Sequence, residues 1–132
     1  MGTRPTGRDN GDGTILLVED SDLVREVIAR MLGEEGFTIL PVSSGEDALS
    51  ILRRKEVSID LLLTDIVMPE MTGLELADRI SEEMPDVPIL FMTGYSEEVV
   101  ESKGISGKNR EWIPKPFTQE EIVSKAREIL SR

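Results

Sequence analysis

The sequence predicts an α/β protein, with five parallel strands in one sheet and helices on both of its faces. Three observations carry this reading. Short aliphatic runs alternate with amphipathic stretches from Thr14 to the C-terminus. The aliphatic runs are continuous rather than every-other-residue, as strands covered on both faces require. The stretches between them repeat apolar residues at three- and four-residue spacing, the period of a helix that rests one side on a sheet.

The elements follow in order. Ile15-Leu16-Leu17-Val18 forms the first strand and runs into acid at Glu19 and Asp20. Leu23, Val24, Val27, Ile28, Met31 and Leu32 mark the inner face of the first helix, closed by Gly36. Phe37 to Val42 is the second strand. Ser43-x-x-Glu46 reads as a capping box opening a helix to about Lys55, with Ala48, Leu49, Ile51 and Leu52 inward. Ile59 to Thr64 is the third strand and ends at Asp65. A helix follows Gly73, burying Leu76, Ala77, Ile80 and Met84. Val87 to Met92 is the fourth strand, and Ser96 to about Ser102 a short helix. Lys103 to Arg110, with Gly104 and Gly107, reads as loop. Glu111 to Pro114 is the last strand. Thr118-x-x-Glu121 caps a final helix packed through Ile122, Val123, Ala126, Ile129 and Leu130.

Residues 1–13 are Gly, polar and charged without periodicity, and read as a disordered tail or linker before one domain over 14–132. Their Asp-Asn-Gly-Asp-Gly run lacks the ligand spacing and closing Glu of an EF-hand. The length of 132 residues suits a single domain. With 15 Lys and Arg against 26 Asp and Glu, the net charge of −11 argues against direct contact with nucleic acid or an anionic membrane. There is no cysteine, which excludes disulfides and thiolate chemistry, and no histidine, which removes the commonest general base. A metal must therefore be held by oxygen, which points to Mg²⁺, Ca²⁺ or Mn²⁺. No apolar run reaches the ~20 residues of a membrane span, and the opening stretch lacks the apolar core of a signal peptide. The expected location is cytoplasmic.

Ligands of open parallel sheets bind at the carboxyl ends of the strands. Here those ends carry Glu19, Asp20, Asp65, Thr93 and, just beyond the last strand, Lys115. Singly, each is as well explained as a solvated loop residue. At successive strand ends they make one pocket. Like charges at ~4 Å repel by about 4 kcal/mol per pair at an effective dielectric near 20, so such acids need a cation. Mg²⁺ and Lys115 would supply it. A carboxylate is a competent nucleophile towards phosphorus, and phosphoryl transfer asks mainly for in-line positioning and charge neutralisation. Asp65, at the end of the central strand, is the natural acceptor, with Thr93 offering a hydroxyl to a phosphoryl oxygen.

The stretches LLVEDS (16–21), LLLTDIVMPEMTG (61–73), ILFMTG (89–94) and WIPKPF (112–117) resemble the response-regulator receiver domains of two-component signalling. The resemblance extends from about Thr14 to Ser131. It implies a flavodoxin-like sheet of order 2-1-3-4-5. It also implies that Asp65 is the phosphoacceptor and that Glu19 and Asp20 join it in binding Mg²⁺, with the backbone carbonyl of Val67 as a further ligand. Thr93 and Lys115 would contact the phosphoryl group, the Lys115–Pro116 bond would be cis, and Trp112 would move inward as Thr93 is drawn to the phosphate. The donor would be a histidine kinase or a histidine phosphotransfer domain. The domain would be regulatory, catalysing only its own phosphorylation and dephosphorylation.

Val67 is apolar where many members of that family carry a polar side chain. The TGYS stretch and short fourth helix look similar to receivers of hybrid sensor histidine kinases, which would make this chain part of a longer one; a free-standing regulator is the open alternative. Two other functions compete. A pseudo-receiver that binds without accepting phosphate usually lacks the acceptor, the acid pair or the lysine, all present here. A Mg²⁺-dependent aspartyl-phosphate hydrolase commonly carries a second acid two residues past its nucleophile, where Val67 stands. A dinucleotide fold would need a G-x-G-x-x-G after the first strand, and there is none.

Overall fold

The computed structural model describes residues 12–132, so most of the expected tail, 1–11, lies outside the described residues. The elements in order are β1 (Gly13–Val18), α1 (Asp22–Gly33), β2 (Phe37–Val42), α2 (Gly45–Arg54), β3 (Leu61–Asp65), α3 (Gly73–Glu83), β4 (Ile89–Thr93), α4 (Glu97–Ser102), β5 (Arg110–Pro114) and α5 (Gln119–Leu130). The strands pair in parallel throughout, in the order β2-β1-β3-β4-β5. That is the order the family resemblance implies.

Strand alternation divides the core in two. Leu16, Val18, Leu62, Ile89 and Phe91 face α2 and α3, meeting Leu49, Leu76 and Ile80. Ile15, Leu17, Leu61, Leu63, Leu90 and Met92 face α1 and α5, meeting Ile28, Leu32, Ile122 and Ala126. The three inner strands, β1, β3 and β4, are buried along their whole length, which explains their unbroken aliphatic sequence. Each such side chain contributes about 1.5–3 kcal/mol by leaving water.

Several boundaries differ from the sequence reading. β1 begins at Gly13, and the Asp12 amide donates to the Gly36 carbonyl, so the sheet starts earlier than Thr14. The α1 helix ends at Gly33 with Glu34 as its cap; Gly36, at φ +102°, shapes the turn into β2 instead. The α2 cap is Ser44 rather than Ser43. Ser44 has the extended backbone of an N-cap and its hydroxyl accepts from the Asp47 amide, so Glu46 falls out of the capping-box position. A true capping box does open α3, from Thr72 and Glu75, as another opens α5 from Thr118 and Glu121. β3 starts at Leu61, and β4 runs from Ile89 to Thr93 because Pro88 has no N–H to give the ladder.

Two differences bear on function. Leu23, Val24 and Val27 are exposed, not buried. The first turns of α1 lie beyond the carboxyl edge of the sheet, where Val24 and Ile28 flank Lys115, Pro116 and Phe117, and only Ile28 and Leu32 reach the core fully. The segment from Lys103 to Asn109 is anchored rather than loose. Ile105 is fully buried, Asn109 Nδ2 donates to the Pro85 carbonyl at 3.1 Å, and Arg110 pairs with Asp78 on α3 at 2.9 Å.

Gly73 sets the join between β3 and α3. A Cβ there would stand 2.0 Å from the Asp65 carbonyl oxygen, and the Gly73 amide donates to the Ile66 carbonyl at 2.8 Å. Gly33, by contrast, has nothing within 4 Å of the same position. Gly73→Ala is therefore expected to cost about 3 kcal/mol or more in urea denaturation, while Gly33→Ala is neutral or stabilises by about 0.5–1 kcal/mol. Equal effects would contradict the packing described.

Candidate functional site

The parallel register delivers the site. Val18 pairs with Thr64, so the next residues on β1 and β3, Glu19 and Asp65, emerge side by side. Asp65 pairs with Met92, and Thr93 with Pro114, which places Thr93 and Lys115 along the same edge. The Lys115 amide donates to the Thr93 carbonyl at 2.8 Å, tying the last two contributors together. The Lys115–Pro116 bond is cis.

Glu19, Asp20 and Asp65 each offer a carboxylate oxygen, and these oxygens lie within 4.8 Å of one another. Lys115 Nζ is 2.5 Å from Asp65 Oδ1 and 3.9 Å from Glu19 Oε1. Glu19 and Asp65 are buried and Asp20 is exposed, so the pocket has a closed floor and an open rim. Glu19 Oε2 accepts from the Ser21 amide at 3.0 Å, whereas Oε1 is buried with no donor. Burial pushes the Glu19 carboxyl up to about 7, assisted by a hydrogen bond to Asp65 that only protonated Glu19 can donate.

Thr93 is buried, and its hydroxyl oxygen accepts from the Tyr95 amide at 2.9 Å, leaving its proton free to donate. Val67 follows Asp65 by two residues and is 66% exposed. Trp112 sits half-buried on β5, paired with Phe91, and packs with Tyr95 against the α2–α3 side of the core. Arg25 is a neighbour the sequence reading passed over. Its guanidinium donates to the Glu19 carbonyl at 2.8 Å and to Asp22 Oδ1 at 2.6 Å. The Asp22/Arg25 spacing of three on a helix was the available signal.

Three carboxylates against one ammonium leave two negative charges, which one divalent ion would balance. The donor set is oxygen alone, the orphaned Glu19 Oε1 lacks a positive partner in bonding range, and the rim is open. These features fit Mg²⁺, a hard ion that keeps several water ligands.

An open parallel sheet of order 2-1-3-4-5 with helices on both faces and an acid pocket at its carboxyl edge is the flavodoxin-like architecture of receiver domains. The family model for the response regulator receiver domain matches residues 15–127, and the chain belongs to that family. It is a regulatory domain family of two-component signalling, in which phosphorylation and Mg²⁺ are typical. Among its relatives, the sensor kinase CckA of Brucella abortus is 32% identical over 93% of this chain and 13% of its own length. The response regulator receiver protein CpdR of the same organism is 34% identical over 88% of this chain and 95% of its own. Several further curated relatives are matched over about half their length. A solved structure of the Thermotoga maritima response regulator TrrA, in complex with Mg²⁺-BeF, aligns with a TM-score of 0.76 and 32% identity, covering 89% of this chain and 99% of that one. Among the described residues, no helix is long and apolar enough to cross a membrane.

The raised Glu19 pKa has a stability consequence. Without metal the folded state holds this proton up to about pH 7, while the unfolded chain releases it near 4.5. The stabilisation is thus full below 4.5 and is lost as pH rises through about 7. In EDTA, unfolding free energy is expected to fall by about 2 kcal/mol between pH 5.5 and 8, and Glu19→Gln should abolish that component. The same pH dependence in both proteins would contradict it.

Proposed function

We propose that this domain accepts a phosphoryl group on Asp65 and uses it as a signalling switch. The single observation that supports this best is the meeting of Asp65 with Lys115 and the Glu19–Asp20 pair at one strand edge. An Asp65 carboxylate oxygen attacks phosphorus in line; the P–N bond of a phosphohistidine donor breaks as the P–O bond forms, and the released imidazole takes up a proton. The donor is a histidine kinase or histidine phosphotransfer domain, as receiver domains in general use.

Glu19, Asp20, Asp65 and the Val67 carbonyl would hold Mg²⁺, which when bound offsets the charge of the phosphoryl oxygens. Lys115, already against Asp65, transfers its hydrogen bond to a phosphoryl oxygen. Thr93 donates its free hydroxyl proton to another. The added charge of about −1.5 to −2 pulls Thr93 and Lys115 inward, and Trp112, which packs with Tyr95 against the same core cluster, follows to alter the α4–β5 surface. Turnover is confined to the domain's own phosphorylation and dephosphorylation, and we place it in the cytoplasm. The matches to a CckA-type kinase and to the short CpdR support equally a segment of a hybrid kinase and a free-standing regulator.

Incubation with acetyl phosphate and Mg²⁺ should label the protein with a hydroxylamine-sensitive acyl phosphate, and Asp65→Asn should lower labelling at least a hundredfold at unchanged folding. Undiminished labelling of that variant moves the acceptor elsewhere; no labelling of the unaltered protein favours the pseudo-receiver.

The exposed apolar residues of α1 support the partner assignment. Val24 lines a hollow with Ile28, Lys115, Pro116 and Phe117, beside the acceptor, and Leu23 and Val27 are exposed on the same helix. A donor docking there would bring its phosphohistidine to the rim. Leu23→Asp is expected to slow transfer from a phosphorylated histidine phosphotransfer protein about tenfold or more while labelling from acetyl phosphate stays unchanged. Equal loss with both donors would count against docking on α1.

A further inference from the structure

Asp20 is the one acid of the pocket whose carboxylate nothing holds. Among the described residues no group donates a hydrogen bond to it, and its side chain is exposed, while Glu19 is fixed by the Ser21 amide and Asp65 by Lys115. Its place is therefore set by the backbone alone. That backbone is gripped from two directions. The Glu19 amide donates to the Val42 carbonyl at 3.1 Å, and the Glu19 carbonyl, in the peptide that leads into Asp20, accepts from Arg25 Nη1 at 2.8 Å.

Arg25 suits this task. It stands in the first turn of α1, its side chain is only 20% exposed, and its amide is hydrogen-bonded to the Ser21 carbonyl at 2.9 Å. Its second nitrogen donates to Asp22 Oδ1 at 2.6 Å, so the planar fork is hydrogen-bonded at both nitrogens. The force it opposes arises in the pocket itself. Three carboxylates with oxygens within 4.8 Å repel one another, and the exposed Asp20 is the member free to rotate out into water.

We propose that Arg25 is a positioning residue for divalent-cation binding: it fixes the Glu19–Asp20 peptide so that the Asp20 carboxylate stays beside Glu19 and Asp65 before the ion arrives. This rests on the reading of the acid pocket as a Mg²⁺ site. The arrangement is counter-intuitive in charge, because a cation beside an acid pocket by itself repels Mg²⁺. The two effects consequently have opposite signs. Removing Arg25 tightens Mg²⁺ binding if only its charge matters, and weakens it if its grip on the peptide matters more.

The test is an amide NMR titration of the whole unphosphorylated chain with MgCl₂, comparing the unaltered protein with Arg25→Gln, Arg25→Lys and Asp22→Asn, and recording each melting temperature. Arg25→Gln is expected to raise the Mg²⁺ dissociation constant roughly tenfold, the size of effect typical when an outer hydrogen-bond partner of a metal ligand is lost. Arg25→Lys, which keeps the charge and reaches one acceptor, should fall between, and Asp22→Asn, which leaves an oxygen acceptor in place, should change little. Unchanged or tighter Mg²⁺ binding by Arg25→Gln overturns the proposal, as does a lowered melting temperature with an unmoved dissociation constant. Should Arg25→Gln not fold, an unaltered dissociation constant in Arg25→Lys overturns it equally. Absence of Mg²⁺ binding by the unaltered protein instead sinks the metal reading itself, and this proposal with it.

Discussion

The structure turns on a mutual repulsion that the fold forces on its own side chains. Parallel pairing of Val18 with Thr64 leaves Glu19 and Asp65 no choice but to emerge together, and Asp20 follows one residue later. In water these acids would separate. Here two of them are buried beneath the carboxyl edge of a sheet whose inner strands are entirely aliphatic. The closest available cation, Lys115, reaches Asp65 but stays 3.9 Å from Glu19. The pocket thus keeps unbalanced charge, and burial, helped by the neighbouring Asp65, holds the Glu19 carboxyl up at about 7.

Much of the surrounding structure serves to hold that arrangement. Gly73 lets the start of α3 press against the Asp65 carbonyl, closing the chain behind the acceptor where any larger residue would collide. The Lys115 amide bonded to the Thr93 carbonyl keeps the lysine in register with β4. Arg25 grips the peptide before Asp20 from the opposite side. The Tyr95 amide donates to the Thr93 hydroxyl, and Tyr95 and the half-buried Trp112 both pack against the α2–α3 side of the core. Asp65 pairs with Met92, next to Thr93, and Thr93 pairs with Pro114 on β5, so the sheet itself joins the acceptor to that edge. A path is a physical opportunity for coupling, and the two surface states it would connect are what signalling requires.

The sheet and the pocket were legible in the sequence for one reason. Strands buried on both faces must be aliphatic without interruption, so Ile15–Val18 and Leu61–Leu63 announced themselves, and the acids that ended the runs are the ones the fold clusters. Patterns with weaker physical constraint misled. Leu23, Val24 and Val27 obey helical spacing but face solvent, because periodicity records a stripe without saying what covers it. Ser43 and Ser44 are both capable caps, and backbone geometry rather than composition chose the second. Ile105, an isolated apolar residue in a Gly-bearing stretch, gave no periodic signal although it is fully buried. The spacing of Asp22 and Arg25 signals their pairing, but the Arg25 hydrogen bond to the Glu19 carbonyl, six residues back, is encoded by no side-chain pattern.

Acids from β1 and β3, facing Lys115, are proposed to form one divalent-cation site. Anomalous diffraction from crystals grown with Mn²⁺ in place of Mg²⁺ tests it directly. The expected result is a single strong peak about 2.1 Å from carboxylate oxygens contributed by both strands, with the Lys115 ammonium on the opposite side of Asp65. Fully folded protein with Mn²⁺ in excess and no peak among Glu19, Asp20 and Asp65, or a peak ligated elsewhere, would contradict the account.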